Sequence, residues 1–203
     1  HYHMTAKAGL FFNMLDTLVF HHDAPFSDTS AFPTYYAGML GHQNTDTILT
    51  GDGPDQTMAG SSHYVFATQN DIFARRRSLA RKFYRLSADM ARCFCNDLSP
   101  SLLSKGIRNL YRKSLDPIHA AYELRSYFPN LIKEYLCEDE LRSIHIDNDP
   151  YRHPRMWFAQ SNTQDSINQY LYADIKFYMP EDLMVKVDRM CMAHGLETLS
   201  PFQ

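Results

Sequence analysis

Glycine is scarce in this chain, with 8 among 203 residues. Four of the eight, Gly38, Gly41, Gly51 and Gly53, fall in one short stretch. Backbone freedom is therefore concentrated there. No apolar run approaches the roughly 18 residues that a membrane-spanning helix needs. No basic-plus-apolar leader opens the chain, so a membrane partner is not expected. Internal repeats and low-complexity tracts are absent. The four cysteines are Cys93, Cys95, Cys137 and Cys191. Cys93-Phe94-Cys95 is too tight for a zinc knuckle, and no second pair follows at metal spacing. The four read as small, reduced, buried thiols of a cytoplasmic protein. His21-His22-Asp23 has the residue types of a metal site, but neighbouring helical side chains diverge, so they read as no ligand pair.

What is present is ordinary globular material: 44% apolar residues, 21% charged residues and a net charge of −3. A chain of this length builds one domain with a sizeable core. The balanced charge argues against a molecule built throughout to bind polyanions. Residues 71–113 are the exception, with eleven Lys and Arg against three Asp. That segment reads either as a solvated helical face or as a grip for RNA or a protein partner. Arg75-Arg76-Arg77 spreads around a helix rather than along one stripe, which favours the solvated face. The chain opens His1-Tyr2-His3 and stops at Ser200-Pro201-Phe202-Gln203, and it reads like an excerpt from a longer protein.

Apolar residues at Leu10, Phe11, Met14, Leu15, Leu18 and Val19 predict an amphipathic helix over 8–20, ended by Ala24-Pro25. Ser27 to Ser30 offers capping chemistry for a second helix, with Pro33 in its first turn and a break at Gly41–Asn44. Thr45–Thr50 is short and β-branched, and it reads as a buried strand feeding a tight turn. Helical spacing returns at Gln56 and dominates 115–172, where Pro129, Pro150 and Pro154 punctuate it and Trp157, Tyr170 and Tyr172 should pack. Pro180-Glu181-Asp182 reads as a helix start, with Asp182 and Lys186 on one face and Gly195 as the stop.

The chemistry gathers at Thr50-Gly51-Asp52-Gly53-Pro54-Asp55-Gln56. A strand ends, glycines let the backbone turn close to a ligand, two carboxylates project and a helix begins. Ligands bind at the carboxyl ends of strands in open α/β sheets, and helix N-termini favour phosphate. Carboxylates there repel phosphate unless a divalent metal lies between, and Mg2+ takes a few carboxylates with phosphate oxygens and water. The turn therefore reads as a Mg-nucleotide or pyrophosphate site, with Asp52 and Asp55 as the metal-facing pair.

Three stretches then agree on a resemblance. Asp23-Ala24-Pro25-Phe26-Ser27-Asp28-Thr29-Ser30-Ala31-Phe32-Pro33-Thr34-Tyr35 is similar to D-E-P-F-x-D-x-S-x-x-P-T-Y of the asparagine synthetase family. The turn resembles that family's S-G-(D/E)-G-x-D-E-x-F-G-G-Y. Tyr172 through Glu197 resembles Y-x-D-x-K-x-Y-L-P-D-D-x-L-x-K-x-D-R-x-S-M-A-x-x-L-E, which continues x-R-x-P-F. The resemblance spans the chain, although 65–170 agrees only in helical character. It implies part of a synthetase domain of the ATP-pyrophosphatase group: a parent with a doubly wound parallel sheet of the adenine nucleotide alpha hydrolase kind. This piece of it would be mostly helical, with one or two short parallel strands. It implies ATP and Mg2+ as cofactors, and aspartate, ATP and glutamine-derived ammonia as substrates. The carboxylate is activated as an acyl-adenylate, pyrophosphate leaves and ammonia attacks. By position, Thr50, Gly51, Asp52, Gly53, Asp55, Gln56 and Arg189 would hold ATP and pyrophosphate. Asp52 and Asp55 would face the metal, and Glu197, Asp188 and Lys186 would line the catalytic wall, with Glu197 handling protons.

Departures from the pattern accompany the agreement. The family's phosphate loop, S-G-G-x-D-S, occurs nowhere in the 203 residues, and neither does a glutaminase domain. Residues 1–203 alone are therefore expected to be a partial domain that does not turn over. Gln56 replaces Glu, Ser61 stands at the tyrosine position, Ala24 replaces Glu, and Leu199 replaces an Arg whose fork suits carboxylate or phosphate. An amide ligase with another acceptor, or a relative without activity, stays open beside asparagine synthesis. A helical nucleic-acid or protein binding module using 71–113 is the rival of a different class. An isolated parallel strand lacks the cover such strands need, so marginal stability or a homo-oligomer is expected.

Overall fold

The structure is a computed structural model that describes residues 2–5, 7–65, 82–87, 90, 102–126, 133, 141 and 149–202. Five of the eleven basic residues of 71–113, Arg75, Arg76, Arg77, Arg81 and Arg92, lie outside these residues, as do Cys93, Cys95, Cys137 and Pro129. The described part is mostly helical, with one sheet of two short parallel strands. The chain divides into two units. The first joins 1–60 to 174–203, and the second is 61–173.

The first unit begins with α1 (Ala8–His22). Asp23 closes it from the left-handed region at φ 52°, its N–H donating to the Val19 carbonyl. Leu18 reaches the core with Ala31 and Met190, and Phe11, Phe26, Phe32 and Tyr35 pack around them. The expected single buried face is only partly realised. Leu15 and Val19 are exposed, with Phe12 and Phe20 beside them. Apolar residues wrap most of α1, and only the stripe through Phe11 and Leu18, two turns apart, meets the core.

After α1 comes α2 (Ala31–His42), which runs one residue past the expected break at Gly41. It packs on the later helix α8 (Val185–Met192) so closely that a Cβ at Gly38 would stand 3.1 Å from the Cys191 Cα and 3.2 Å from the Met190 carbonyl. The strand that follows is β1 (Thr47–Leu49), and it is not the buried strand the sequence predicts. Thr47 and Leu49 are exposed, and Ile48 is half-buried against Val187, Cys191 and Leu196. In this unit β1 has a single neighbour, β2 (Glu197–Leu199), in parallel register: Thr47 with Glu197, Ile48 with Thr198, Leu49 with Leu199. With helices on one face only, the alternate side chains of both strands stay in water.

Next is α3 (Pro54–Met58), little more than one turn. The final segment opens with a π-helix, Asp174–Met184, that carries Pro180 inside it. The sequence reading placed Pro180 at a helix start. A proline has no N–H to donate, and the structure absorbs it in the wider π ladder. The π-helix continues into a second α-helix (α8, Val185–Met192), and Gly195, at φ 73°, completes the stop where it was expected.

The second unit contains α4 (Leu102–Ser114), α5 (Pro117–Arg125), α6 (Arg152–Gln160) and α7 (Ser166–Ala173). Asp116 caps α5 by accepting the His119 N–H at 3.0 Å, with Pro117 in the first turn. Among the described residues, Tyr111, Leu115 and Ala120 form one buried apolar cluster of this unit. Beside them Glu123 is fully buried and accepts the Tyr151 hydroxyl. Trp157 meets Tyr172 edge-on at 6.4 Å, and Phe158 meets Tyr170 at 5.0 Å, the packing expected of these rings.

Candidate functional site

The predicted site residues all fall in the first unit. The Thr50 N–H donates to the Leu199 carbonyl at 2.9 Å, and the Thr50 and Ser200 hydroxyls share a hydrogen bond of 2.8 Å. The two chains therefore run side by side one residue past the sheet. Gly51 follows with open space where a Cβ would sit. Gly53 turns at φ 103° and is buried, a conformation that L side chains rarely adopt. Its carbonyl accepts the N–H groups of Gln56 and Thr57 at 3.0 and 3.1 Å, which launches α3. Ala59 ends that helix in the left-handed region at φ 56°, and Gly60 then returns its N–H to the Asp55 carbonyl at 3.1 Å. A Cβ on Gly60 would be driven into the Asp55 carboxylate, so only glycine lets that carboxylate stand where it does.

Asp52 is half-buried, Asp55 is exposed and Gln56 is buried. The Gln56 side chain thus points away from its two carboxylate neighbours' solvent, and its Oε1 has no hydrogen-bond partner. The turn presents two carboxylates and glycine backbone to solvent. Among the described residues no three metal-ligating side chains gather. That donor set does not make a resident metal cage. It does fit a Mg2+ that arrives on phosphate and takes one or two carboxylates from the protein.

The short helix α3 of this turn packs on the π-helix that leads into α8. On α8 the Cys191 thiol is buried, and burial raises its pKa, helped by the carboxylates of Asp188 and Asp52. Asp188 itself is exposed and Arg189 is half-buried. Lys186 points elsewhere. Its side chain is only 8% exposed, and its ammonium donates to Asp28 Oδ2 at 3.0 Å and to the Ser30 hydroxyl at 2.8 Å. Burial would raise the Asp28 pKa, but the Ser30 N–H and hydroxyl and the Lys186 ammonium outweigh it and hold the carboxyl below its ordinary value. Lys186, read from the sequence as sharing a helix face with Asp182, thus bonds a carboxylate 158 residues away in sequence.

Glu197 stands at the other end of the sheet. It pairs with Thr47, accepts the Thr47 hydroxyl at 3.3 Å, and is exposed. Thr50, Gly51, Asp52, Gly53, Asp55 and Gln56 thus share one turn, Asp188 lies on α8 one helical turn before Cys191, and Glu197 is separated from the turn by the length of the strands. Asp28 and Ser30 were not singled out by the sequence reading. Helical spacing could have found them: Lys186 is one turn from Met190, which is wholly buried, so its ammonium needed a carboxylate in the interior.

The adjacent His21-His22 pair diverges. The His22 ring is buried, stacks on Phe26 at 4.3 Å and bonds the Leu18 carbonyl at 2.9 Å, while His21 meets Phe20 and Tyr35. Among the described residues no helix is long and apolar enough to cross a membrane.

A family profile described as "Asparagine synthase" matches residues 1–203. The glutamine-hydrolyzing asparagine synthetase 1 of Bacillus subtilis (strain 168) is 26% identical over 193 residues, covering 95% of this chain and 28% of that protein. A provisionally named glutamine-hydrolyzing asparagine synthetase of Mycobacterium tuberculosis (strain ATCC 25618 / H37Rv) is 24% identical over 207 residues, covering all of this chain and 29% of that protein. The chain therefore spans less than a third of the length of these curated relatives. No solved structure matches it.

Proposed function

This chain belongs to the asparagine synthase family, and on that basis we propose that it forms part of an ATP-dependent amide-forming ligase that makes asparagine from aspartate. In this reading residues 1–203 are one partial synthetase domain, cut from a doubly wound α/β nucleotide-binding fold. The phosphate loop and the glutamine-hydrolysing function belong to other parts of the protein. The aspartate side-chain carboxylate attacks the α-phosphorus of ATP, pyrophosphate leaves, ammonia attacks the resulting acyl carbon and AMP departs with the new amide bond formed. The substrates are then aspartate, ATP and ammonia from glutamine, handled in the cytoplasm.

The observation that carries the reading is the convergence of three matched stretches in one unit. Lys186 bonds Asp28 and Ser30, and β1, which feeds the turn, pairs with β2. The open backbone at Gly51 and the carboxylates of Asp52 and Asp55 suit the pyrophosphate end of ATP with its Mg2+, and Arg189 on α8 takes the phosphate-binding role that the resemblance implies. Mg2+ would supply charge neutralisation between those carboxylates and the phosphates. Glu197 takes the proton-handling role that the resemblance implies. A substrate that touches both Asp52 and Glu197 has to run past three paired residues, at least about 7 Å, and an acyl-adenylate is an extended molecule of that kind.

The test is made on the full-length product of the gene that encodes these residues. It is supplied with Mg-ATP and aspartate, with glutamine or ammonium as nitrogen donor, and AMP and pyrophosphate are followed. AMP release that requires aspartate supports the reading. AMP release with another carboxylate but not with aspartate replaces the acceptor, and none with any carboxylate removes the activity.

A further inference from the structure

We propose that Ser200 is a positioning residue for phosphate: its hydroxyl hydrogen engages the Thr50 hydroxyl oxygen, which turns the Thr50 hydrogen toward a phosphate oxygen of the nucleotide at the Asp52 turn. The proposal deepens the reading above and rests on it for the presence of nucleotide phosphate at that turn.

The register of the sheet brings the two side chains together. Leu49 pairs with Leu199, and the Thr50 N–H continues the ladder to the Leu199 carbonyl at 2.9 Å. Thr50 and Ser200 are therefore the next pair along the two strands, and their hydroxyl oxygens lie 2.8 Å apart. Alternation along a strand gives Thr50 the face of Ile48, and Ser200 the face of Thr198. Ile48 packs against Val187, Cys191 and Leu196. Ile48, Thr50, Thr198 and Ser200 are all half-buried, whereas Thr47, Leu49, Glu197 and Leu199 are exposed. The hydroxyl pair thus sits on the covered face of the sheet, immediately before Gly51, whose backbone is open.

Two hydroxyls carry two hydrogens and four lone pairs, and each hydrogen rotates to suit its partner. The bond between Thr50 and Ser200 uses one hydrogen. The other is left to donate, and among the described residues neither hydroxyl has a second partner. A phosphate oxygen only accepts. Bound at the turn, it draws the spare hydrogen from Thr50, the hydroxyl that adjoins Gly51, and Thr50 then accepts from Ser200. A hydroxyl that accepts while it donates is the stronger donor, because bonds in a chain polarise one another. Ser200 also holds the Thr50 hydroxyl in place before the ligand arrives, so less freedom is lost on binding. Thr47 supplies the contrast. Its hydroxyl crosses the other end of the same sheet to Glu197 at 3.3 Å, on the exposed face, and its hydrogen is already committed to a carboxylate.

The experiment is calorimetric titration of the full-length protein with the Mg2+ complex of an ATP analogue that has a methylene group for the α,β-bridging oxygen, so that nothing turns over. Thr50→Val removes the phosphate donor, and its Kd should rise roughly tenfold or more. Ser200→Ala leaves that donor unheld, and its Kd should rise about three- to tenfold. Ser200→Thr keeps the hydroxyl and should bind like wild type. On the Thr50→Val background Ser200→Ala should add nothing, because Ser200 acts through Thr50. Thr47→Val removes the other hydroxyl bond across the sheet and should leave Kd unchanged. All variants should melt within a few degrees of wild type, as befits single cross-strand pairs. Ser200→Ala that binds like wild type overturns the proposal, and so does a further loss when it is placed on Thr50→Val. Equal losses in Thr47→Val and Ser200→Ala also overturn it, since both hydroxyls would then serve only to staple the strands. A wild type that binds the analogue but releases no AMP with aspartate loses the ligase reading and leaves this comparison to decide. A wild type that binds no nucleotide overturns both.

Discussion

Lys186 and Arg155 each bring a cation to carboxylates, yet the two belong to different physical regimes. In the first unit the Lys186 side chain is 8% exposed and that of Asp28 19%. In the second unit the Arg155 side chain is 41% exposed and lies 3.4 Å from Asp116 and 3.3 Å from Asp149, both 36% exposed. Water screens the second arrangement far more than the first. An exposed pair contributes up to about 1 kcal/mol, whereas breaking a buried pair by removing one partner costs about 3–5 kcal/mol. The unit that carries the family motifs thus buries a cation with its carboxylate, whereas the second unit leaves Arg155 open and buries a carboxylate, Glu123, against the Tyr151 hydroxyl.

The largest expected effect follows directly. Lys186→Met or Asp28→Asn should lower the unfolding free energy by about 3–5 kcal/mol in urea denaturation, and the double variant by much less than the sum of the two. Additive losses would show that the pair is not sealed, and the contrast with Arg155 would collapse.

Gly38 sharpens the same contrast without charge. A Cβ there meets backbone atoms of Cys191 and Met190 that cannot move aside. Gly38→Ala should therefore destabilise by about 1–3 kcal/mol, again by denaturation. Phe20→Ser, on the exposed side of α1, should stay within about 0.5 kcal/mol. Equal costs for the two would mean that the α2–α8 contact yields easily.

The sequence revealed elements whose signals are local. The 8–20 periodicity marked α1, Gly195 marked the end of α8, and the two glycines and one proline at 51–54 marked the turn. It misread what depends on partners distant in the chain. Thr45–Thr50 reads as buried because β-branched runs usually are, but burial depends on how many strands flank it, and here there is one. Pro180 reads as a helix start because its missing N–H costs nothing there, but a π segment also accommodates it. Of the site, the turn was legible from residue types alone. The engagement of Lys186 by Asp28, and the separation of Glu197 from Asp52 by the strands, were not. The first needs the fold, and the second needs the parallel register.

Ala59 is a smaller case of local sequence against local geometry. It ends α3 at φ 56°, where glycine is the usual residue. Ala59→Gly should raise stability by about 1 kcal/mol in the same denaturation experiment, and a loss would show that the alanine methyl packs usefully.

The smallest effect lies in the second unit and is read by titration. Burial holds the His119 pKa below its ordinary 6.5; the Arg155 charge pushes the same way, while Asp116, Glu123 and Asp149 oppose it. Arg155 also lies 3.2 Å from Nδ1, a contact that suits the neutral ring. Because the folded value is depressed, the unfolded chain binds a proton below about pH 6.5 that the folded unit resists, and stability falls with acid through that window. Asp28 has the opposite chemistry and the same sign. Its depressed carboxyl value gives stability that is complete above its ordinary 3.8 and lost only as pH falls through the folded value. Acid should therefore act on the His119 cluster well before it reaches the Lys186–Asp28 pair. Arg155→Gln should move the His119 titration upward in an NMR pH series, with a stability change below about 1 kcal/mol. His194, in the first unit, also has a lowered pKa, chiefly from burial, and should not move with Arg155. A His119 resonance that titrates unchanged in Arg155→Gln would mean that burial alone sets its value, and the open charge cluster would then have no measurable influence on the group it surrounds.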